Sequence, residues 1–262
     1  MPQYGQRWLL RRMVGHPRLC LIVLLTSYLK ERFAKLGFDQ ERLAVFPDAV
    51  DLSLFHGLPD KAECRRQFNL PGDLPIIGYV GRFQTMGSEK GIPQLIEAMA
   101  HLPSFNGKAP LLLCVGGPMS AVRDYLERAD AAGIPRKMLR FVDRVPNSVV
   151  PRVMKACDVC TIPWPWTEFS AYYTSPLKLF EYMASGVPIV ASDLPSMKEI
   201  LRHDENAWLV RPGDPLALAE GIRILLSDRN RAESLANTAR QDVRSNTWGA
   251  RAAQIIELIQ EK

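Results

Sequence analysis

Short, continuous apolar runs punctuate this chain at residues 19–25, 76–80, 111–115, 159–162 and 188–191. Their length and lack of alternation are those of strands covered on both faces. Between them the apolar positions switch to helical spacing, over 27–36, 92–102, 121–132, 148–156 and 176–184. In the 92–102 stretch, Leu95, Ile96, Met99 and Leu102 fall on one helical face. Strands alternating with helices predict an α/β fold with a doubly wound parallel sheet. Ligands of such sheets bind beyond the carboxyl ends of the strands, so the loops leaving each strand are where chemistry is expected. Beyond the turn Pro212-Gly213-Asp214-Pro215 the pattern becomes two or three helices, the last set off by a break at Asn246-Thr247-Trp248.

A boundary is expected between Pro47 and Pro59, where Pro47, Gly57 and Pro59 interrupt any helical period. Before it stand one strand (19–25) and a helix (27–36), too little for an independent domain. The expected division is therefore 1–50, 51–244 and 245–262. An apolar surface on the first ~50 residues calls for cover, which predicts a homo-oligomer or a partner chain.

Composition narrows the field only a little. The 262 residues carry a formal charge of +5. That excess suits an anionic ligand or membrane surface, though solvated surface charge produces it equally well. No stretch interleaves Lys and Arg with aromatics, which argues against nucleic acid. The five cysteines are odd in number and mostly sit in apolar runs, as reduced cytoplasmic thiols do. Cys157-Asp158-Val159-Cys160 has CxxC spacing, but no second pair or histidine completes a zinc set, and a helix end running into a buried strand explains it. None of His16, His56, His101 or His203 stands in a motif that assigns it a catalytic role. The longest apolar run is too short to span a bilayer.

Two loops carry candidate chemistry. The first is Gly78-Tyr79-Val80-Gly81-Arg82-Phe83-Gln84-Thr85-Met86-Gly87-Ser88-Glu89-Lys90-Gly91. Gly81 permits a tight turn, and Arg82 and Lys90 bracket a loop that ends where a helix begins. Two cations beside free helix N–H groups make a diphosphate site, and a solvated basic loop is the plain alternative. The second is Tyr173-Thr174-Ser175-Pro176-Leu177-Lys178-Leu179-Phe180-Glu181. Ser175 is expected as N-cap and Pro176 as the first helical residue, leaving the amides of Leu177 and Lys178 free for an anion. Glu181, about one turn in, is placed either to accept from ribose hydroxyls or simply as an exposed helix glutamate.

Taken in order, these stretches resemble the donor domain of GT-B glycosyltransferases of family 4, the retaining group 1 enzymes. The likeness rests on Gly81-Arg82 and Lys90-Gly91, followed by the run from Ser175 through Gly186-Val187-Pro188-Ile189-Val190 to Asp193. Val45-Phe46-Pro47-Asp48-Ala49-Val50-Asp51 looks like the segment joining that family's two domains. Gly116-Gly117, Ala156-Cys157-Asp158-Val159 and Leu209-Val210-Arg211-Pro212-Gly213-Asp214 match further segments in order.

The resemblance implies a Rossmann-like GT-B C-terminal domain over 51–244. Residues 1–50 would then be a remnant of an N-terminal acceptor domain and 245–262 a crossover helix. It implies that Arg82 and Lys90 hold the donor diphosphate and stabilise the leaving nucleoside diphosphate. Ser175, Pro176, Leu177 and Lys178 would meet the β-phosphate, Glu181 the ribose, and Arg144, Val145 and Pro146 the base. It implies a nucleotide-sugar substrate, no metal or other cofactor, and a cytoplasmic protein, with the membrane face open as its workplace. Tyr173 stands where the family often has a sugar-contacting glutamate, and Glu168 is the nearest acid. Trp164 and Trp166 are placed either to stack on a sugar or to pack the loop. Two readings follow: a glycosyltransferase donor domain that transfers poorly without an acceptor domain, or a non-catalytic nucleotide-sugar-binding module. A dehydrogenase is disfavoured, because no GxGxxG follows a strand.

Overall fold

The computed structural model describes residues 18–85 and 87–261, together with Arg12 and His16. The start of the expected 1–50 segment, Met86 in the first loop, and the final residue of the 245–262 segment lie outside the described residues. The strands, in chain order, are β1 Ile22–Leu24, β2 Leu43–Val45, β3 Ile76–Arg82, β4 Gln84–Thr85, β5 Ser88–Glu89, β6 Leu111–Gly117, β7 Leu139–Val142, β8 Val159–Ile162, β9 Ile189–Ser192 and β10 Trp208–Val210. The helices are α1 Ser27–Lys35, α2 Lys61–Gln67, α3 Ile92–Met99, α4 Val122–Ala131, α5 Val150–Ala156 and α6 Glu168–Tyr172. They continue with α7 Leu177–Ser185, α8 Pro195–Lys198, α9 Pro215–Ser227, α10 Arg229–Asp242 and α11 Trp248–Gln260.

Six strands form the central sheet in the order β10-β9-β8-β3-β6-β7, all parallel. The doubly wound sheet expected from the apolar runs is what forms. The chain builds outward from β3 through β6 to β7, then returns to the other side of β3 to lay down β8, β9 and β10. The order therefore reverses between β3 and β8. At such a switch point the two flanking loops splay apart and leave a crevice at the strands' carboxyl ends.

Each face of the sheet has its own core. On one face Ile76, Val80, Leu113, Val115, Cys160, Ile162 and Ile189 pack under Val153 and Met154 of α5 and Leu179, Phe180 and Met183 of α7. On the other, Ile77, Tyr79, Leu112, Cys114, Val159 and Val190 pack under α3, α4 and α9 through Leu95, Ile96, Tyr125 and Ile222. The unalternating runs of β3 and β6 arise because both faces are covered. Cys157 caps α5, and both it and Cys160 are buried free thiols, consistent with the helix-into-strand explanation of that spacing.

The N-terminal segment departs from its pattern. The apolar run at 19–25 contributes only the three residues of β1, of which Ile22 and Val23 are half-buried and Leu24 is buried. β1 pairs in parallel with β2 in a separate two-stranded sheet, over a small cluster of Leu24, Phe38 and Leu43. The unit is tied to the main body by polar contacts. Thr26 Oγ1 donates to the Tyr172 carbonyl (2.6 Å), and the Ser27 amide and hydroxyl donate to Glu199 (3.0 and 2.6 Å). Past the joining segment, the Val50 amide donates to the Asn246 carbonyl (2.9 Å), and Arg251 of α11 reaches the Phe46 carbonyl (3.3 Å). Trp248, Ile256 and Ile259 on α11 are exposed. No helix among the described residues is long and apolar enough to cross a membrane.

One ionic cluster pins the amino ends of the sheet. The Asp158 carboxylate accepts from Arg65 (2.5 Å), Lys61 (2.9 Å) and the Ile76 amide (2.7 Å). The Arg65 guanidinium is buried and also donates to the Ala156 and Gly72 carbonyls. Removing Asp158 strands a buried cation and an unpaired strand amide. We expect Asp158→Ala to cost about 3 kcal/mol of unfolding free energy. Urea unfolding would show this as a lowered midpoint at unchanged slope, and a loss under about 1 kcal/mol would contradict the assignment.

Candidate functional site

The crevice at the switch point is built from three loop ends. At its centre the carboxyl ends of β3 and β6 lie in register, with Gly81 opposite Gly116 and Arg82 opposite Gly117. Gly81 and Gly116 have positive φ, 140° and 150°, and a Cβ on Gly116 would lie 1.9 Å from the Gly81 carbonyl oxygen. The missing Cβ of Gly116 lets the two strands finish this close together.

After Arg82 the chain does not wander as a loop. β4 and β5 form a small antiparallel ribbon, and the Lys90 amide donates to the Phe83 carbonyl (2.9 Å). The ribbon brings the chain back to the strand end and delivers Lys90 next to Gly91, the N-cap of α3, at φ 87°. The expected open loop is thus a hairpin, with Gly87 at its turn in the left-handed region. The Lys90 ammonium sits 4.1 Å from the centroid of the Trp164 ring, and burial pulls its pKa below the usual lysine value. No carboxylate pairs with it among the described residues. Arg82 is exposed at the end of β3, and no side-chain hydrogen bond or ion pair holds it among the described residues.

The second side of the crevice is the start of α7. Here the structure corrects the capping expectation. The helix begins at Leu177, its N-cap is Pro176, and no side chain caps it. Ser175 is not the cap: its hydroxyl is turned back to accept the Asp48 amide (2.9 Å) and ties the helix start to the joining segment. The physical consequence is the one anticipated. The amides of Leu177 and Lys178 have no backbone acceptor, so they remain open to an anion.

Lys178 is the unexpected residue. Its Nζ is buried, has no hydrogen-bond partner among the described residues, and lies 3.8 Å from the Tyr79 ring centroid. A Cβ on Gly81 would stand 2.6 Å from it, so this glycine leaves the room the ammonium fills. Burial, and then the neighbouring Lys90 charge, pull its pKa down to about 7. Glu181 lies one turn further along α7. Desolvation raises its carboxyl pKa, opposed by the Lys178 charge. This carboxylate is half-buried in the site, not a solvated helix glutamate.

Arg144, Val145 and Pro146 follow β7 on the far side of Gly117. The Arg144 amide donates to Asp143 (2.7 Å), and Arg144 Nε lies 3.8 Å from the position of a Gly117 Cβ. The structure thus strings Arg144, Gly117, Arg82, Gly81, Lys178, Lys90 and Trp164 along one crevice.

The two tryptophans separate. Trp164 is buried against the two lysines, whereas Trp166 is exposed and edges onto Tyr172. Ser88, Glu89, Lys90, Trp164, Phe169 and Ser170 are among the residues lining a small cavity of about 130 Å³ behind the ribbon. Tyr173 joins a cluster that sequence reading missed. Its hydroxyl accepts from Arg32 (2.6 Å) of α1 and donates to Glu168 (2.9 Å). Arg32 is 141 residues away in the chain. Nothing in local pattern could have paired them.

With this geometry in place, comparison with known proteins is informative. Residues 60–242 match the family model described as Glycosyl transferases group 1. A D-inositol 3-phosphate glycosyltransferase of Corynebacterium glutamicum is 28% identical over 228 residues, 84% of this chain and 52% of that protein. The chain spans about half the length of the curated relatives it matches. Sucrose-phosphate synthase from Thermosynechococcus elongatus superposes with a TM-score of 0.79 at 26% identity, covering 100% of this chain and 62% of that one. Anabaena Alr3699/HepE, solved in complex with UDP, superposes with a TM-score of 0.80 at 21% identity, covering 100% of this chain and 70% of that one. The shared fold is the C-terminal domain of the GT-B architecture.

Proposed function

This chain belongs to the group 1 glycosyltransferases, and from that premise we propose that its crevice binds the diphosphate of a nucleotide-sugar donor for transfer with retention of configuration. One observation carries the reading. Arg82, Lys90 and the uncapped amides of α7 surround the switch point of the sheet, and among the described residues no carboxylate neutralises either loop cation. Such a concentration of unpaired positive charge calls for an anion.

In this reading Gly81 makes room for the Lys178 ammonium at the strand end. Arg82 grips phosphate oxygens with its planar fork, while Lys90 supplies a point charge. Ser175 and Pro176 hold the start of α7 in place, and the Leu177 and Lys178 amides meet the β-phosphate. Glu181 accepts from the ribose hydroxyls. Arg144, Val145 and Pro146 flank the base. As the bond to the sugar breaks, negative charge grows on the departing diphosphate. Fixed cations and amides stabilise that charge without reorganising, which is the role assigned here to Arg82 and Lys90. No metal is invoked, because these groups supply the counter-charge. The UDP bound by the Anabaena structure supports a nucleoside diphosphate as ligand.

Calorimetric titration with UDP, GDP and ADP tests the proposal. Binding in the micromolar to submillimolar range is expected for at least one of them. Arg82→Ala and Lys90→Ala should each weaken it roughly tenfold or more, the scale of one charge-assisted contact. Absence of binding by all three at millimolar concentration would overturn the donor-site reading. Unchanged affinity in either variant would remove that residue from it.

A further inference from the structure

The proposed donor site leaves one group unexplained, the side chain of Lys178. Its amide belongs to the helix start, but its ammonium has folded inward to a place where no anion meets it. The groups around Nζ come from every element packed there. Tyr79 and Gly81 face it from β3, Cys114 from β6, and Lys90 from the ribbon's return. Trp164 lies beyond β8, its ring centroid 5.9 Å away, and Glu181 faces it from α7 itself. Among the described residues only Glu181 brings a compensating charge to it, and no hydrogen bond joins the two. Lys90 is a like charge, and the Tyr79 ring face offers the ammonium only a weak attraction.

A buried ammonium without a hydrogen bond is costly, and the protein has two ways to relieve it. It can release the proton, or it can receive an anion. Burial pulls the Lys178 pKa down to about 7, in the direction of the first route. The second opens when a diphosphate docks on the amides of Leu177 and Lys178, because those amides begin the same helix turn that carries this side chain.

Resting on the donor-site reading above, we propose that Lys178 is a further diphosphate-binding residue whose ammonium is completed by the ligand, so that nucleotide binding takes up a proton. The balance is simple. The empty site holds a mixture of amine and ammonium, the ligated site holds ammonium, and the difference comes from solvent. The ligand-free pKa is about 7 and the bound value is higher. Uptake is therefore small below pH 7, where the group is already charged. It approaches one proton per site between the two values. Affinity levels off below about pH 6 and is roughly fivefold weaker at pH 8 than at pH 7.

The experiment is calorimetry with whichever of UDP, GDP and ADP binds, at pH 6.5, 7.5 and 8.0, in buffers of differing ionisation enthalpy. The dependence of the apparent heat on the buffer gives protons taken up per nucleotide bound. Lys178→Met keeps the side-chain volume and removes the titrating group. It is expected to abolish the lysine's share of the uptake, flatten the pH dependence, and weaken binding at pH 6.5 roughly tenfold. The nucleotide's own phosphate titration is common to both proteins and cancels in the difference. Glu181→Gln removes the carboxylate that faces Lys178, and uptake should persist in it.

Proton uptake equal in the wild type and Lys178→Met overturns the proposal, as does uptake that vanishes only in Glu181→Gln. Nucleotide binding that depends on Arg82 but not on Lys178 overturns this inference and leaves the donor site standing. Failure of all three nucleotides to bind overturns both.

Discussion

Gly116→Ala is expected to be the most damaging single methyl group in the central sheet. The added Cβ would lie 1.9 Å from the Gly81 oxygen and 2.7 Å from its carbonyl carbon. Both are backbone atoms of the adjacent central strand, so no side-chain rotation relieves the clash. The φ of 150° at Gly116 is itself one that residues with a Cβ rarely adopt. Relief requires the carboxyl ends of β3 and β6 to part, which breaks the register that places Arg82 opposite Gly117. We expect a loss of about 4 kcal/mol or more, from steric strain and the sheet hydrogen bonds given up. Any folded fraction should also have lost nucleotide affinity. Gly133→Ala is the natural comparison. It too has positive φ, 69°, but nothing lies within 4 Å of its Cβ position. It should cost only about 1 kcal/mol for the left-handed backbone. Urea unfolding of the two variants side by side gives the answer. Equal losses would show that backbone conformation, not the close approach of strands, is what Gly116 provides.

The central sheet was legible because its signal is physical and local. A strand covered on both faces must be apolar throughout, and 76–80, 111–115, 159–162 and 188–191 could be read as such, whereas the edge strands β7 and β10 were not among the runs read. The run at 19–25 carried the same signal without the same cause, since among the described residues β1 pairs only with β2, and Ile22 and Val23 are half-buried. The glycines and cations of the first loop were legible too, but not its shape. The hairpin of β4 and β5 holds only two residues a side, too few for alternation to show.

Ser175 shows a different limit. Its position before Pro176 is right for a cap, yet the Asp48 amide, 127 residues away in the chain, captured the hydroxyl instead. Tertiary competition of this kind has no local trace. The same holds for Arg32 on Tyr173, and for Lys178. Helical spacing says where the Lys178 Cα stands, not that its ammonium threads inward beneath a glycine.

Lys178→Met should make the empty protein more stable. The argument follows from proton linkage. The lysine pKa drops from 10.5 to about 7 on folding, so between those values the unfolded chain holds more protons than the folded one. Stability therefore rises with pH through that window, and the full cost of the buried charge is present below pH 7. At about 1.4 kcal/mol per unit the shift converts to roughly 5 kcal/mol, an upper figure because the charged form relaxes by drawing in water. Methionine fills the same space, keeps the contact with the Tyr79 ring through its sulfur, and carries no charge to desolvate. The expected gain at pH 6.5 is on the order of 2–4 kcal/mol, seen as a melting temperature several degrees higher. The wild-type stability should climb between pH 7 and 9, while the variant's should stay flat apart from titrations common to both. A variant that melts lower than the wild type at pH 6.5 would mean that the ammonium already has a partner in the empty site. Such a result would remove the reason for a ligand to complete it. A stabilised variant that binds nucleotide poorly would instead show a site whose charge is held ready at the expense of the fold, the usual relation between a preorganised binding group and the stability of its scaffold.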